Sequence, residues 1–286
     1  MRILAAFLAL LFAVPALAAP HAWVVRDADT EITLFGTIHA LPKKTRWLSP
    51  ALAARFDAAD TLVLEAVMPD DPQALIPLVA QIGMPPGVKP LAERLPASAL
   101  PRLNAAAIAT GVPMAALERM DSWLAAVTLG DAALGGLGVK AADGVEPQLM
   151  ARARASAKPI IGLETPEQQL RYFDGLPEAD QTAMLLSTLD DIGTAKTDMN
   201  GLLARWQAGD VDAIARDFDN ETRATPLLRQ RLLVTRNITW ANWLANVMQR
   251  PGKLFVAVGA GHLGGPDGLI ALLKARGLTV EKMPGA

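Results

Sequence analysis

Two short stretches of this chain repeat one pattern, and that pattern limits what the chain can fold into. Residues 32–42, ITLFGTIHALP, and residues 253–265, KLFVAVGAGHLGG, each join an apolar β-rich run to Gly-x-x-His and then to a loop. Gly36 leads to His39 and Gly259 leads to His262, which accounts for two of the three histidines in the chain. A helix-like segment and a strand-like one follow each copy. After His39 these are Pro50 to Ala58 and TLVLEAV around Glu65; after His262 they are DGLIALLKARG and LTVEKM. Alternation of this kind builds α/β folds. In open sheets of that class, ligands bind beyond the carboxyl ends of the strands, where both imidazoles would lie. A glycine at the strand end permits positive φ and close backbone approach. Two imidazoles delivered from adjacent strand ends would share one metal or one substrate.

Half of the residues are apolar (51 %), ample for a sizeable core. With 27 basic and 29 acidic residues the net charge is −2, which gives no reason to expect nucleic acid or an anionic membrane as partner. The first stretch, MRILAAFLALLFAVPALAA, has the parts of a secretory signal. Arg2 is the positive end, and Ile3 to Val14 is an apolar core too short for a comfortable span. Ala16-Leu17-Ala18 supplies small residues for a cut after Ala18. The expectation is a periplasmic or secreted chain with no membrane anchor after cleavage. Without cysteine there are no disulfides, so stability must come from packing. His21, just past the cut and preceded by Pro20, receives no role.

Residues 22–35 read as two short strands around an Asp-rich turn. Ser49-Pro50 opens a helix, with Ser as cap and Pro at the first position. Glu65 lies inside the apolar strand TLVLEAV, where a carboxylate is expensive to bury without a partner. It is therefore the expected acidic partner of His39 or of a metal. Ser98 to Thr110 reads as a helix stopped by Gly111. Met114 to Leu134 reads as another, with Trp123, Leu124 and Val127 on one face. GGLGV at 135–139 breaks it and lacks the context of a nucleotide-binding loop. A helix begins near Gly144 with Glu146 in its first turn, a place the helix dipole alone could explain. PIIGLE at 159–164 reads as a short buried strand ending in Glu164. Thr165-Pro166-Glu167-Gln168 follows it as a capping box. Residues 177–250 read as helical almost throughout. Thr225-Pro226 opens a long helix that carries Arg236 and Asn237 beside Trp240 and Trp243. On it Leu232, Leu233, Ile238, Trp240, Trp243, Leu244 and Val247 form a core face. There is no HExxH and no GxSxG, so the common zinc-protease and serine-hydrolase routes have no support.

GTIH, GLETPEQQL, Arg236-Asn237 and VGAGHL, in that order, resemble the TraB/GumN family. That family is related to the TIKI metalloproteases and more distantly to the erythromycin-esterase and ChaN-like fold. The similarity spans about residues 22–284. It implies an α/β core with a mixed central β-sheet built from the two strand–GxxH–helix–strand units. One domain over 19–286 would carry a large helical insertion at about 98–250. The resemblance places a site between the two GxxH loops, with His39, His262 and Glu65, and with Arg236 and Asn237 nearby. Glu164 matches the GLET motif, and Glu146 is a further candidate.

From the TIKI proteins comes the expectation of a divalent-metal-dependent hydrolase, most simply a peptidase. Imidazoles and a carboxylate suit Zn²⁺, Mn²⁺ or Co²⁺. His39, His262 and Glu65 would hold the metal, Glu65 acting either as ligand or as base. Arg236 would stabilise an oxyanion or a substrate carboxylate. Two other classes compete with this one. A binding protein would capture a peptide, haem or metal without turnover. A metal-free, esterase-like hydrolase would use one histidine as general base. The substrate, peptide or small molecule, is not legible.

Overall fold

The computed structural model describes residues 20–283; the expected signal segment lies outside them. Six strands form one sheet: β1 (Ala22–Arg26), β2 (Thr30–Thr37), β4 (Thr61–Ala66), β6 (Ile160–Glu164), β7 (Gly252–Gly259) and β8 (Val280–Lys282). Two more, β3 (Leu41–Pro42) and β5 (Val139–Lys140), pair as a small separate ladder. The order across the large sheet is β6-β4-β7-β2-β1-β8. β1 and β2 form the expected hairpin. β2, β7, β4 and β6 run parallel, and β1 runs against β2. Since β8 is antiparallel to β1, it runs with β2, and the sheet is mixed.

The two GxxH units cross each other. β2 and β7 are parallel neighbours, with Gly36 opposite Val258 and Thr37 opposite Gly259. From β2 the chain passes over β7 to reach β4; from β7 it passes over β2 and β1 to reach β8. These opposite directions put the two connecting helices on opposite faces. Leu52 and Phe56 of the helix Pro50–Ala58 pack with Phe35, Leu64 and Phe255 on one face. Leu269 and Leu273 of the helix Leu269–Ala275 pack with Leu34, Val256 and Val258 on the other. Alternate residues of one strand thus feed two cores, as strand geometry requires. Where the connections diverge, between β2 and β7, the sheet has a topological switch point and a crevice at its carboxyl edge.

The helical mass comes in two blocks rather than one insertion, because β6 returns to the sheet between them. The first block runs from Pro72 to Ala155 and the second from Pro166 to Val247. Leu103, Ala126, Leu129 and Leu185 give the helices a core of their own. Trp206 joins blocks and sheet: it is 1 % exposed, and its indole N–H donates to the Gly36 carbonyl at 2.7 Å.

Several local expectations need correction. β6 is an edge strand and not a buried one, with Ile161 39 % exposed. A short apolar run reads the same in either place, since only the missing neighbour distinguishes them. The segment from Met114 to Leu134 is two helices, Met114–Leu117 and Ser122–Gly136, because the Asp121 N–H leaves the helix to donate to the Gly83 carbonyl. Trp123 is core, stacked on Phe173, but Val127 on the same helix is exposed. Ile238 likewise faces outward from the core stripe of its helix. The helix opened by Pro226 is widened into a π turn at Gln230–Val234 before it resumes at Thr235.

Candidate active site

His39 follows β2, His262 follows β7, and Glu65 stands near the end of β4 on the far side of β7. Strand alternation sends Leu62 and Leu64 to one face and Val63 to the other. Glu65 shares the face of Val63, which is the face covered by the helix Thr235–Val247 that carries Arg236. The expected residues Glu65, Arg236, Asn237 and His262 are all buried. Glu164 joins them from the end of β6 and Glu146 from the first turn of the helix Val145–Ala155. All seven expected residues meet at one place.

Gly36 and Gly259 serve close approach rather than unusual dihedrals, since neither has positive φ. A Cβ on Gly36 would lie 3.0 Å from the Ala260 Cα. One on Gly259 would lie 3.1 Å from Glu65 Oε1 and 3.3 Å from His39 Nε2. The bare backbone at 259 therefore leaves a small cradle between the carboxylate and the imidazole.

Arg236 is the hub. Its Nε–H donates to Glu164 Oε1 at 2.9 Å, and its two terminal nitrogens reach Glu164 Oε2 (2.9 Å), Glu65 Oε2 (2.5 Å), the Leu232 carbonyl (2.9 Å) and His262 Nε2 (3.2 Å). The guanidinium also stands over the rings of Trp240 and Tyr172, 4.6 and 5.5 Å from their centroids. Two further side chains, which the sequence reading did not single out, complete the network. The Gln169 amide donates to Glu65 and Glu164, each at 3.3 Å, and the Tyr172 hydroxyl donates to Glu164 at 3.2 Å. They lie three residues apart on the helix Pro166–Asp174, hence on one face. The capping box that starts this helix was visible in the sequence; its facing was not.

The two histidines are held differently. The Asn237 amide donates to the Asp267 carbonyl at 2.8 Å, so its oxygen faces His262 Nδ1 at 2.6 Å and fixes the Nδ1–H tautomer. The Nε2 lone pair then points to Arg236. Burial drives the His262 pKa down to about 4, against the pull of Glu65 and with help from Arg236 and His39. The ring is neutral at physiological pH. His39 Nδ1 bonds Glu146 Oε1 at 2.6 Å, while its side chain is 65 % exposed toward the cleft. Burial opposes its protonation, yet Glu146, by charge and hydrogen bond, and Glu65 outweigh it and raise the pKa to about 9. For Glu65, burial favours the neutral acid, but the imidazoles, Arg236 and the Gly259 N–H, 2.7 Å away, hold its pKa down at about 2.

A divalent ion would draw on His39 Nε2, His262 Nε2 and Glu65 Oε1. The two nitrogens stand 4.0 and 3.7 Å from that oxygen, and each ring is fixed through Nδ1 as metal-bound imidazoles usually are. The chemistry of the donors argues the other way. The His262 lone pair already receives an Arg236 N–H, and the cation that donates it also bonds Glu65. Among the described residues no group of three or more His, Asp or Glu side chains is placed to hold a metal. As arranged, the residues do not fit one.

His39, Glu65, Gln169, Tyr172 and the 259–262 loop floor a cavity of about 1120 Å³, walled by Leu134, Phe173, Met199, Phe218 and Leu232 among others. It exceeds the roughly 300–1,000 Å³ of ordinary small-molecule sites. Among the described residues no helix is long and apolar enough to cross a membrane.

A mixed α/β sheet with a paired GxxH cleft at its switch point defines the class of this protein. The chain belongs to the TraB/PrgY/gumN family, whose model matches residues 21–282. It is similar to the uncharacterized protein YbaP of Escherichia coli strain K12, with 27 % identity over 243 residues covering 84 % of this chain and 87 % of YbaP. The YbaP protein of Shigella flexneri is similar to the same extent. No solved structure matches.

Proposed function

We propose that this protein is a hydrolase, and that its substrate is a peptide. The observation that carries the reading is the Glu146–His39 pair, whose ring is fixed at Nδ1 and opens its Nε2 edge into the large cleft beside Glu65. Hydrolysis of an acyl bond needs a proton for the leaving group and an acceptor for the proton of water. His39, protonated at neutral pH, offers the first at Nε2. Glu65, held ionised beside it, accepts the hydrogen bond and then the proton of an attacking water. Titratable groups whose pKa values are pushed apart in one cleft mark the acid and base assignments of many enzymes. The cavity volume favours a peptide over a small ester. The metal-dependent form of this activity, expected from the resemblance, requires Arg236 to withdraw from His262. We also propose that residues 1–18 export the protein, a reading tested by fusing them to a reporter active only outside the cytoplasm.

Peptide mixtures incubated with the purified mature chain, and scored by mass spectrometry for hydrolysis products, test the activity. His39→Gln and Glu146→Gln should each lower turnover by roughly two to four orders of magnitude, the usual scale for lost acid–base catalysis. Wild-type protein that binds peptides but releases no product would leave a binding protein in place of the hydrolase.

A further inference from the structure

We propose that Arg236 is the resident cation of this site and fills the place of a divalent metal, so that the chain folds and works without one. The inference concerns the makeup of the site and stands whether or not the bond cleaved is a peptide. A guanidinium has five N–H donors. Here all five have acceptors: two go to Glu164, one to Glu65, one to the Leu232 carbonyl and one to His262 Nε2. None remains for a substrate, and the residue is 7 % exposed. Arg236 is therefore a positioning residue, which revises its expected role at a substrate oxyanion or carboxylate.

The surroundings match the shape of this cation as well as its charge. Of its two buried carboxylates, Glu164 pairs in the planar bidentate way through both oxygens, and Glu65 adds a single contact through Oε2. The rings of Tyr172 and Trp240 stand against it. A π turn at Gln230–Val234 precedes it, and the Leu232 carbonyl inside that turn accepts one of its N–H groups. Gln169 and Tyr172 supply the remaining donors that Glu65 and Glu164 need. An ion bound between His262 Nε2 and Glu65 would sit beside a fixed positive charge, and like charges at such range repel strongly in a buried site. It would also need the His262 lone pair that Arg236 now occupies.

The experiment uses the mature wild-type chain, expressed with Zn²⁺, Mn²⁺ or Co²⁺ in turn and dialysed. Elemental analysis should find less than one equivalent of each metal. The melting temperature should be the same with chelator and with each ion. A paired variant, Arg236→Met with Glu164→Gln, removes one charge of each sign and frees the His262 lone pair. It should gain a melting shift with Zn²⁺ that wild type lacks. If the variant does not fold, the wild-type measurements decide alone. Wild type holding one equivalent of a metal that His262→Ala loses, or melting lower on chelation and recovering when the ion returns, would overturn the proposal.

Discussion

His39 and His262 are the same residue in matching loops, and their surroundings drive them in opposite directions. Glu146 and Glu65 keep one protonated against the cost of burial; burial against Trp240 and Arg236 keeps the other neutral. This has a consequence for stability. The unfolded chain binds a proton at His262 with a pKa near 6.5, whereas the folded chain resists it down to about 4. The contribution is whole above pH 6.5 and is lost as pH falls through 4, at most roughly 3 kcal/mol by linkage. His39 has the contrary sign: its contribution is complete below pH 6.5 and is lost as pH rises through about 9. Urea denaturation at pH 7 and pH 4.5 should show a drop in wild type that shrinks in His262→Asn. An equal drop in both would remove His262 from the account.

The elements that carry the site are short and are fixed at their ends. The helix Pro166–Asp174 has no fully buried residue, so its reciprocal cap, Thr165 with Gln168, adds to the partial packing of Leu170 and Phe173. Thr165→Ala should cost about 1 kcal/mol. It should also loosen Gln169 and Tyr172, which one turn of that helix presents to Glu65 and Glu164. Faster amide exchange confined to this helix, with lower turnover, is the expected result. The helix Val145–Ala155 is tied to the His39 loop by the Val145 N–H, which donates to the Ile38 carbonyl. Gly144, just before it, allows the approach: a Cβ there would come within 2.0 Å of the His39 carbonyl oxygen. Gly144→Ala must therefore move the loop, and it should lower both melting temperature and activity. An active Gly144→Ala variant with wild-type melting would show that the loop tolerates displacement.

At the scale of the molecule, the Trp206 indole is one tie between the helical roof and the sheet edge where His39 departs. Trp206 packs with Phe35 and donates to the Gly36 carbonyl. Trp206→Ala should cost about 3–5 kcal/mol, the range for deleting a buried aromatic. It should raise exchange in β2 and in the helix Ala195–Gln207 together. Trp206→Phe should restore packing but leave that carbonyl without its donor, giving a smaller loss. Exchange rising in the helix alone would mean that roof and sheet are joined elsewhere.

What the sequence determined by itself was whatever depends on neighbours along the chain. Strand–GxxH–helix–strand fixed the two sheet units. Ser49-Pro50 and Thr165 with Gln168 fixed two helix starts, and both caps form as local hydrogen bonds. Seven site residues were legible, from motif order or from the cost of burying a carboxylate such as Glu65. Tertiary structure decided the rest, because it depends on what stands opposite. β6 is an edge strand because, among the described residues, no strand pairs beyond it. Gln169 and Tyr172 enter the site only because their helix turns that face toward Glu65 and Glu164. Arg236, on a helix where an arginine could equally face water, is the hub because β4, β6 and β7 bring two carboxylates and an imidazole to the same point. A one-dimensional pattern records which groups are present, while the number of acceptors around a guanidinium is set only when distant strands meet.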